Sequence, residues 1–278
     1  MIDRQPMVAS SAYAYPDDED RITRRFIEQA EPHPGYWDHS DERAMARAAE
    51  KLKELLGPKD SVRALDVGCG PGRMLPWLSE LAGRVTAIDP DPGRLAKAAQ
   101  VARELGDSAE IVTQVGNLHE LRAGPFDLVL CSHVIQHIPT ADLVPLLNSI
   151  RELITPDGVL MLSCTRAPVG DEKFSLDRMT EHGVESHRVD RARFDEVARA
   201  ATGKEGLPIH HRDPIRLAEL GRSLGWAQVW TWSFHVLEPL PEFDISGDRD
   251  EWVNGSPELL RRFGRDAVVL WRLQTSTG

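Results

Sequence analysis

The chain has 278 residues, 41% of them hydrophobic and 28% charged, which is enough apolar material for a full α/β core. Its formal net charge is −11, and this acidic balance disfavours nucleic-acid binding, because neutralising phosphates requires basic side chains. The three cysteines follow no disulfide spacing, no secretory signal precedes the core, and no apolar run approaches the roughly 20 residues of a membrane span. We therefore expect a cytoplasmic protein without nucleic-acid or membrane partners.

The first 57 residues precede the regular part of the chain. Residues 1–20 carry no periodicity and end in an acidic run, so we expect a mobile lead-in. The segment 21–57 is predicted to be helical, with a short helix near 20–30 and a second one that begins at Ser40 as its N-cap. Gly57 stands where a glycine commonly ends a helix.

From residue 58 to residue 164, short apolar strands alternate with helices. The predicted strands are 62–67, 84–88, 110–114, 126–131 and 158–164. The predicted helices are 73–82, 93–105 and 141–154. This alternation favours a parallel sheet with right-handed crossovers and helices on both faces.

The alternation is interrupted after Cys164. Residues 165–212 are polar, with one predicted helix near 190–201, and they separate two parts of the main sheet. The regular pattern resumes at Asp213-Pro214, an N-cap followed by proline at the first helical position. Two further strands are predicted, at 227–237 and 266–273, within the terminal segment 213–278.

A glycine-rich sequence follows the first predicted strand, namely Asp66-Val67-Gly68-Cys69-Gly70-Pro71-Gly72-Arg73. Its glycines allow a tight turn and a close approach of the backbone to a ligand. A dinucleotide-binding loop would require glycine at position 73, so Arg73 disfavours a nicotinamide-dependent oxidoreductase. The loop instead suits an amino-acid tail with its own ammonium and carboxylate.

Polar residues also follow the next strands, at the sheet edge where open α/β sheets bind ligands. Asp89 ends the second strand, where a carboxylate can accept both hydroxyls of a ribose. Asn117 and Leu118 follow the third strand, where an amide can bond an adenine edge and a leucine can pack on its face. Ser132 and His133 follow the fourth.

Four of these motifs resemble, in order and spacing, motifs I to IV of class I S-adenosylmethionine-dependent methyltransferases. They are Asp66 to Arg73, Ile88-Asp89, Gly116-Asn117 and Phe126-Asp127-Leu128-Val129. The resemblance covers residues 40–164 strongly and 213–273 weakly. It implies an α/β fold with a doubly wound, mostly parallel seven-stranded sheet with helices on both faces and an N-terminal helical lid. The length of residues 165–212 predicts, in addition, a cap inserted before the last two strands. It also implies S-adenosylmethionine as methyl donor, with S-adenosylhomocysteine as product.

The resemblance implies roles for individual residues as well. The cofactor-binding positions are Tyr36, Asp66, Gly68, Cys69, Gly70, Gly72, Asp89, Pro90, Asn117, Leu118 and Ser132. The family usually has Asp where this chain has Asn117, and an asparagine can still accept a hydrogen bond through its carbonyl oxygen. Tyr36 and Trp37 stand where the family folds a lid over the cofactor, and residues 165–212 are interpreted as a substrate cap.

The acceptor side is predicted from the residues after the fourth strand. His133 and His137 lie where the family places acceptor-facing residues, so we predict that one of them, with a slight preference for His133, orients or deprotonates the acceptor. The candidate substrate-binding residues are Trp37, Gln136, His211 and Arg212. The alternative for each histidine is a buried, hydrogen-bonded core residue, and no metal site is expected, because no acidic third ligand is evident nearby.

The sequence thus predicts in-line methyl transfer to a small molecule, for example a secondary metabolite, without a metal. The alternatives are a methyltransferase acting on RNA or protein, and a related protein that binds S-adenosylmethionine for other chemistry. The Asn/Asp-Pro-Pro-aromatic sequence of relatives that methylate bases or glutamine is absent, since Ser132-His133-Val134-Ile135 stands in its place. The sequence leaves open a homodimer and whether oxygen, nitrogen or carbon receives the methyl group.

Overall fold

A large mixed sheet with helices on both faces, and a small second sheet, make up the computed structural model, which describes residues 19–180, 182–200, 205–240 and 248–274. The helices are α1 (Glu19–Ala30), α2 (Tyr36–Leu55), α3 (Leu75–Leu81), α4 (Pro92–Leu105), α5 (Leu143–Leu153), α6 (Arg191–Ala200), α7 (Pro214–Ser223), α8 (Arg249–Asn254) and α9 (Pro257–Arg262). The strands are β1 (Arg63–Val67), β2 (Arg84–Asp89), β3 (Glu110–Val115), β4 (Phe126–Ser132), β5 (Ile154–Thr165), β6 (Lys173–Thr180), β7 (Gly183–Val189), β8 (Leu207–His211), β9 (Trp226–Phe234) and β10 (Asp266–Leu273). Of the predicted lead-in, residues 1–18 lie outside the described residues.

The main sheet has seven strands in the order β3-β2-β1-β4-β5-β10-β9. Strands β1 to β5 run parallel, and β10 lies antiparallel between β5 and β9. The predicted doubly wound, mostly parallel seven-stranded sheet is therefore confirmed. Strand β5 begins earlier than predicted, because Ile154 already pairs with Phe126 of β4.

Alternate residues of the central strands are buried on opposite faces of the sheet, as the period of two along a strand requires. On one face, Ala64 and Leu128 share a cluster with apolar residues of α2, α3 and α4. On the other face, Leu65 and Val129 share a cluster with residues of α5 and α7. The sheet is thus covered on both sides, and its polar residues concentrate at its ends.

Helices α4 and α7 each begin after an aspartate that caps the helix. The Asp91 side chain accepts from the Gly93 and Arg94 amides, and Asp213 does the same for Ile215 and Arg216. The prediction that Ser40 caps a helix is wrong. Helix α2 already begins at Tyr36, and Ser40 is a buried residue inside it, because its hydroxyl has a partner in Asp250.

The segment 165–212 contains more regular structure than its sequence indicated. The helix predicted near 190–201 is present as α6, but β6, β7 and β8 also form an antiparallel three-stranded sheet in the order β7-β6-β8. Strand β8 lies against the ends of β4 and β5, since the His210 amide donates to Gln136 O and the Arg212 amide donates to Thr165 O. Helix α1 packs on β6 and β7, and β8 joins this second sheet to the carboxyl ends of β4 and β5.

Helices α8 and α9 lie between β9 and β10 and were not predicted. Their short length gives too few turns for a helical period to show in the sequence. Among the helices in the described ranges, none is both long and apolar enough to cross a membrane.

Candidate active site

The glycine loop connects β1 to α3 at the carboxyl edge of the sheet. Gly68, Gly70 and Gly72 all have positive φ angles, of 71°, 55° and 89°. The amides of Gly68 and Cys69 donate to Ile88 O at 2.9 and 3.0 Å, which ties the loop to the end of β2. A Cβ atom on Gly72 would lie 2.9 Å from the Ala98 Cα atom of α4, so a side chain at this position would push the loop away from that helix.

Asp89 is the last residue of β2 and is nearly buried. Its Oδ2 atom accepts a hydrogen bond from the Gly70 amide, and its Oδ1 atom accepts one from the Asp91 amide, both at 2.9 Å. An ionised carboxylate offers about four acceptor positions, so about two remain for other donors. Asp89 therefore fixes the glycine loop and retains the capacity to bind hydroxyl groups.

Asp66 lies one residue before the end of β1 and is 1% exposed. Its Oδ2 atom is buried without a hydrogen-bond partner. Burial, and next the charge of Asp89, raise the pKa of Asp66 to about 7, while Arg73 acts in the opposite direction. An ammonium group beside this carboxylate would satisfy the orphaned oxygen and favour the ionised form.

The turn after β3 brings Asn117 and Leu118 to the same edge. The Gly116 amide donates to the backbone oxygen of Asp89 at 3.1 Å, and the Asn117 amide donates to Glu120 Oε2 at 2.8 Å. Asn117 is half-buried, as is Pro90 after β2, whereas Leu118 is buried in the cluster beneath the sheet. The backbone of this turn is therefore fixed relative to Asp89.

The end of β4 carries a strained residue. His133 has a φ angle of 54°, a backbone conformation that residues other than glycine rarely adopt. Its amide donates to Ser163 O at 2.9 Å. The hydroxyls of Ser132 and Ser163 are 2.9 Å apart. The left-handed backbone turns the chain out of the strand at this point and directs it along the carboxyl edge.

Gln136 links the two predicted histidines. Its Oε1 atom accepts from the Thr165 amide at 2.7 Å, which fixes the orientation of the amide group, and the same atom lies 3.2 Å from His133 Nδ1. Its Nε2 atom then donates to His137 Nε2 at 3.2 Å, and His137 Nδ1 donates to Pro208 O at 2.8 Å. His137 thus has both ring nitrogens engaged, whereas His133 uses Nδ1 as a donor to Gln136.

Burial has the same effect on both of these histidines. It lowers the pKa of His133 to about 4, with Asp266 opposing the shift and Arg73 and Arg265 adding to it. It also lowers the pKa of His137 to about 4. Both rings are neutral at pH 7 and weakly basic, which favours hydrogen-bonding roles over proton removal.

The predicted substrate-binding residues of β8 and its end lie in different environments. His211 Nε2 is 3.0 Å from Ser175 Oγ, which also donates to Asp177, and burial lowers the pKa of His211 to about 4. Arg212 is buried, its Nη2 atom donates to Ile135 O at 2.5 Å, and its Nε atom has no partner. Arg212 therefore holds the loop that carries His133.

Tyr36 and Trp37 begin α2 and face different neighbours. The Tyr36 hydroxyl donates to Asp250 Oδ1 at 2.6 Å and accepts from the Val236 amide at 2.7 Å, so its polar atom is fully used inside the protein. Trp37 is half-buried and stacks on the His235 ring, with centroids 3.9 Å apart and planes 21° apart. Tyr36 anchors the helix, and Trp37 covers the edge of the sheet.

Sequence reasoning did not identify a charged cluster at the end of β9 and the start of β10. His235 Nδ1 lies 2.7 Å from Asp266 Oδ2, and Arg265 Nη1 is 2.7 Å from the same oxygen. Asp41 of α2 lies 3.6 Å from His235 Nε2. Burial alone would raise the pKa of Asp266, but Arg265 and His235 lower it well below its usual range. The only signals in the sequence were a histidine just after β9 and an aspartate at the start of β10.

In the parts of the chain that the structure describes, no three His, Cys, Asp or Glu side chains form a group that could hold a metal ion.

Comparisons with known proteins agree with this arrangement. A family model described as a methyltransferase domain matches residues 64–158. A ubiquinone biosynthesis O-methyltransferase from Xanthomonas campestris pv. campestris (strain B100) is 36% identical over 104 residues, which cover 36% of this chain and 42% of that protein. The chain thus matches about two fifths of the length of the curated relatives.

Solved structures are similar over nearly the whole chain. The 1,6-didemethyltoxoflavin-N1-methyltransferase from Burkholderia thailandensis, solved with 1,6-didemethyltoxoflavin and S-adenosylhomocysteine, has a TM-score of 0.53 at 20% identity and covers 94% of this chain and 91% of its own. The CcbJ methyltransferase from Streptomyces caelestis has a TM-score of 0.54 at 16% identity, with coverages of 91% and 99%. At these identities the similarity establishes a shared fold.

Proposed function

We propose, from the premise that this chain belongs to the class I S-adenosylmethionine-dependent methyltransferases, that it transfers a methyl group from S-adenosylmethionine to a small molecule. The observation that carries the proposal is the placement of Asp66, the glycine loop and Asp89 together at the carboxyl edge of the sheet. Residues 64–158, which match the methyltransferase domain, contain all of these groups.

The residues at this edge fit the proposed cofactor. The orphaned Oδ2 atom of Asp66 suits its ammonium group, and the free acceptor positions of Asp89 suit the two ribose hydroxyls. We propose that Asn117, Leu118 and Pro90 surround the adenine, and that Cys69 and Ser132 lie along the methionine half. Bound there, the cofactor supplies a methyl group already activated by a sulfonium. For Tyr36 we propose only an indirect contribution, because its hydroxyl is engaged with Asp250.

The acceptor would bind between the main sheet and the elements above it. We propose that α1 and the start of α2 act as a lid, because Trp37 stacks on the His235 ring after the end of β9. We propose that the segment 165–212 acts as a cap, because its residues His210 and Arg212 bond to Gln136 and Thr165 at the ends of β4 and β5. Enclosure of this kind excludes water and holds the reacting atoms in line, which can lower a barrier by roughly 7–11 kcal/mol. Trp37, His133 and His211 then face the acceptor, and Gln136 and Arg212 keep this wall in place.

A small molecule is the preferred acceptor for two reasons. The net charge of −11 disfavours a polyanionic partner. The similar proteins include enzymes named for ubiquinone biosynthesis and for a toxoflavin precursor. The three cysteines in the described ranges are free and buried, which supports a reducing compartment such as the cytoplasm. A homodimer stays a prediction, which sedimentation velocity would test.

Calorimetry with S-adenosylmethionine, S-adenosylhomocysteine and NAD tests the cofactor assignment. We expect micromolar binding of the first two and none of NAD; the reverse preference would contradict the proposal. Production of S-adenosylhomocysteine is then measured with small phenols, alcohols and amines, and with total RNA. Methylation of RNA alone would favour the alternative function.

The cap assignment has its own test. Residues 171–206 are replaced by a short linker, which removes β6, β7 and α6 and keeps the anchored strand β8. We expect S-adenosylhomocysteine affinity to change less than about threefold and turnover of small acceptors to be lost, because only the acceptor loses its enclosure. Unchanged turnover would contradict a cap role.

A further inference from the structure

His235 is a buried histidine that none of the roles above explains. It follows the last residue of β9 and has a φ angle of 52°, so among the described residues other than glycine only His133 shares its positive φ. Each of these histidines directly follows the last residue of a strand at the carboxyl edge of the sheet. Strained residues of this kind persist where the surrounding structure holds them, and they concentrate at active sites.

The hydrogen bonds of His235 determine which ring nitrogen is free. Asp266 is a carboxylate with a strongly lowered pKa, so it can only accept a hydrogen bond, and Nδ1 of His235 must carry the hydrogen at 2.7 Å. The Nε2 atom is buried and has no hydrogen-bond partner. The nearest carboxylate oxygen, Oδ1 of Asp41, lies 3.6 Å away, beyond hydrogen-bonding range.

The surroundings of this nitrogen suit a polar ligand. Asp41 and Trp37 are one helical turn apart on α2, so they lie on the same face of the helix. This is the face on which Trp37 stacks against the His235 ring. The Asp41 side chain is one-third exposed, whereas the His235 ring is held by Asp266 and Trp37, and the His235 backbone amide donates to the Ser40 hydroxyl. A hydroxyl between Nε2 and Asp41 would give a partner to the orphaned nitrogen.

The same place is adjacent to the proposed cofactor site. Arg73, at the end of the glycine loop, lies 3.8 Å from Asp41. The loop after β4 lies between these groups, because Val134 lies against Gly68, and Gln136 accepts from the amide of Thr165, which pairs with Asp266. An acceptor atom at Nε2 of His235 would therefore approach the methionine end of the cofactor from the side of β9 and β10.

We propose that the acceptor is a hydroxyl compound and that His235, oriented by Asp266, removes its proton. This inference rests on the proposed methyltransferase function and deepens it. The O–H bond breaks as its hydrogen passes to Nε2 of His235, and the oxygen electron pair forms the new bond to the methyl carbon. The bond from that carbon to sulfur breaks with its electron pair left on sulfur, which gives S-adenosylhomocysteine and a methyl ether. The resulting imidazolium lies between Asp266 and Asp41 until its proton is released to water.

The other histidines are poorer candidates for this step. His137 has both ring nitrogens engaged, and His133 has no carboxylate partner on its ring. In a Nδ1–H tautomer His133 can still accept a hydrogen bond through Nε2, so it remains an orienting residue.

The decisive experiment compares His235→Ala with His187→Ala, an exposed histidine of β7 that serves as the matched control. The probes are catechol and 4-hydroxybenzoate as hydroxyl acceptors and benzylamine as an amine, with S-adenosylhomocysteine formation as the readout. For His235→Ala we expect at least a hundredfold loss of turnover on the hydroxyl probes and a cofactor affinity within threefold of wild type. Added imidazole should restore at least tenfold of that loss, which a structural role of His235 would not allow.

Several outcomes would overturn the inference. They are wild-type turnover in His235→Ala, a loss that imidazole does not restore, and a wild-type enzyme that methylates benzylamine but neither hydroxyl probe. The last result leaves the proposed methyltransferase function intact, whereas failure to bind S-adenosylhomocysteine at all would contradict that function itself.

A second measurement decides the matter if His235→Ala does not fold. The wild-type protein, labelled with ¹⁵N-histidine and saturated with S-adenosylhomocysteine, is examined by NMR at pH 8. We expect His235 to show a protonated Nδ1 and an unprotonated Nε2, and Asp266→Asn to shift the tautomer equilibrium. A protonated Nε2 in the wild type would overturn the assignment, because the nitrogen could not then accept a proton.

Discussion

Replacing Asp89 is the sharpest test of the proposed cofactor site, because the carboxylate has one task that the structure shows and a second that we propose. It accepts from the Gly70 and Asp91 amides, and we propose that it also accepts from two ribose hydroxyls. Hydrogen bonds to a charged group contribute about 1.5–3 kcal/mol each. Asp89→Ala should therefore lower the free energy of unfolding by about 3 kcal/mol or more and weaken cofactor binding at least tenfold.

Asp89→Asn is the milder companion, since it keeps one acceptor oxygen and removes the charge. We expect it to fold and to bind S-adenosylhomocysteine at least tenfold more weakly than wild type, as measured by isothermal titration calorimetry. The matched control is Asp91→Ala, two residues further on. It removes an N-cap of α4 and should lower stability by about 1 kcal/mol, with the affinity within threefold of wild type. Equal affinity in Asp89→Asn and wild type, or equal losses in both variants, would refute the ribose assignment.

Three further variants test the buried polar groups. Because the pKa of Asp66 is about 7 in the native state and about 4 when unfolded, the native chain holds more protons between these values and its stability falls as pH rises from 4 to 7. Urea titrations of Asp66→Asn should lack this fall and be more stable than wild type at pH 8, by at most about 4 kcal/mol; parallel pH profiles would contradict the shift. Ser40→Ala removes the donor to Asp250, at 2.5 Å, and should lower the unfolding free energy by about 2–3 kcal/mol in a thermal melt, whereas a loss below 0.5 kcal/mol (about the size of a surface effect) would argue against it. Gln136→Leu leaves the Thr165 amide without its partner and should cost about 1–3 kcal/mol in urea; an unchanged midpoint would show that the amide finds another acceptor.

The sequence was sufficient for the elements that depend on local chemistry. Short apolar runs that alternate with helical patterns placed β1 to β5 and their helices, because central parallel strands are buried on both faces and the helices on one. The glycine loop and Asp89 were found for a similar reason, since positive φ angles and a carboxylate at a strand end leave marks within a few residues. Asp213 and its following proline likewise marked the start of α7.

Elements of weak local pattern were missed or misplaced. Strands β6 and β7 are mostly polar, and their sequences show no regular apolar stripe over their full length. Ser40 looked like a helix cap because serine favours that position, but a hydrogen bond to Asp250, 210 residues away, decided its place inside α2.

The His235 cluster was decided by tertiary structure alone. Asp41, His235 and Asp266 come from three distant parts of the chain. They meet because β10 enters antiparallel between β5 and β9, which brings its first residue, rather than its last, to the carboxyl edge where β9 ends. Strand direction and neighbour order are set by the packing of the whole sheet, and no short stretch of sequence records them. The sequence therefore determined where the glycine loop forms, and only the folded sheet determined that Asp41, His235 and Asp266 meet.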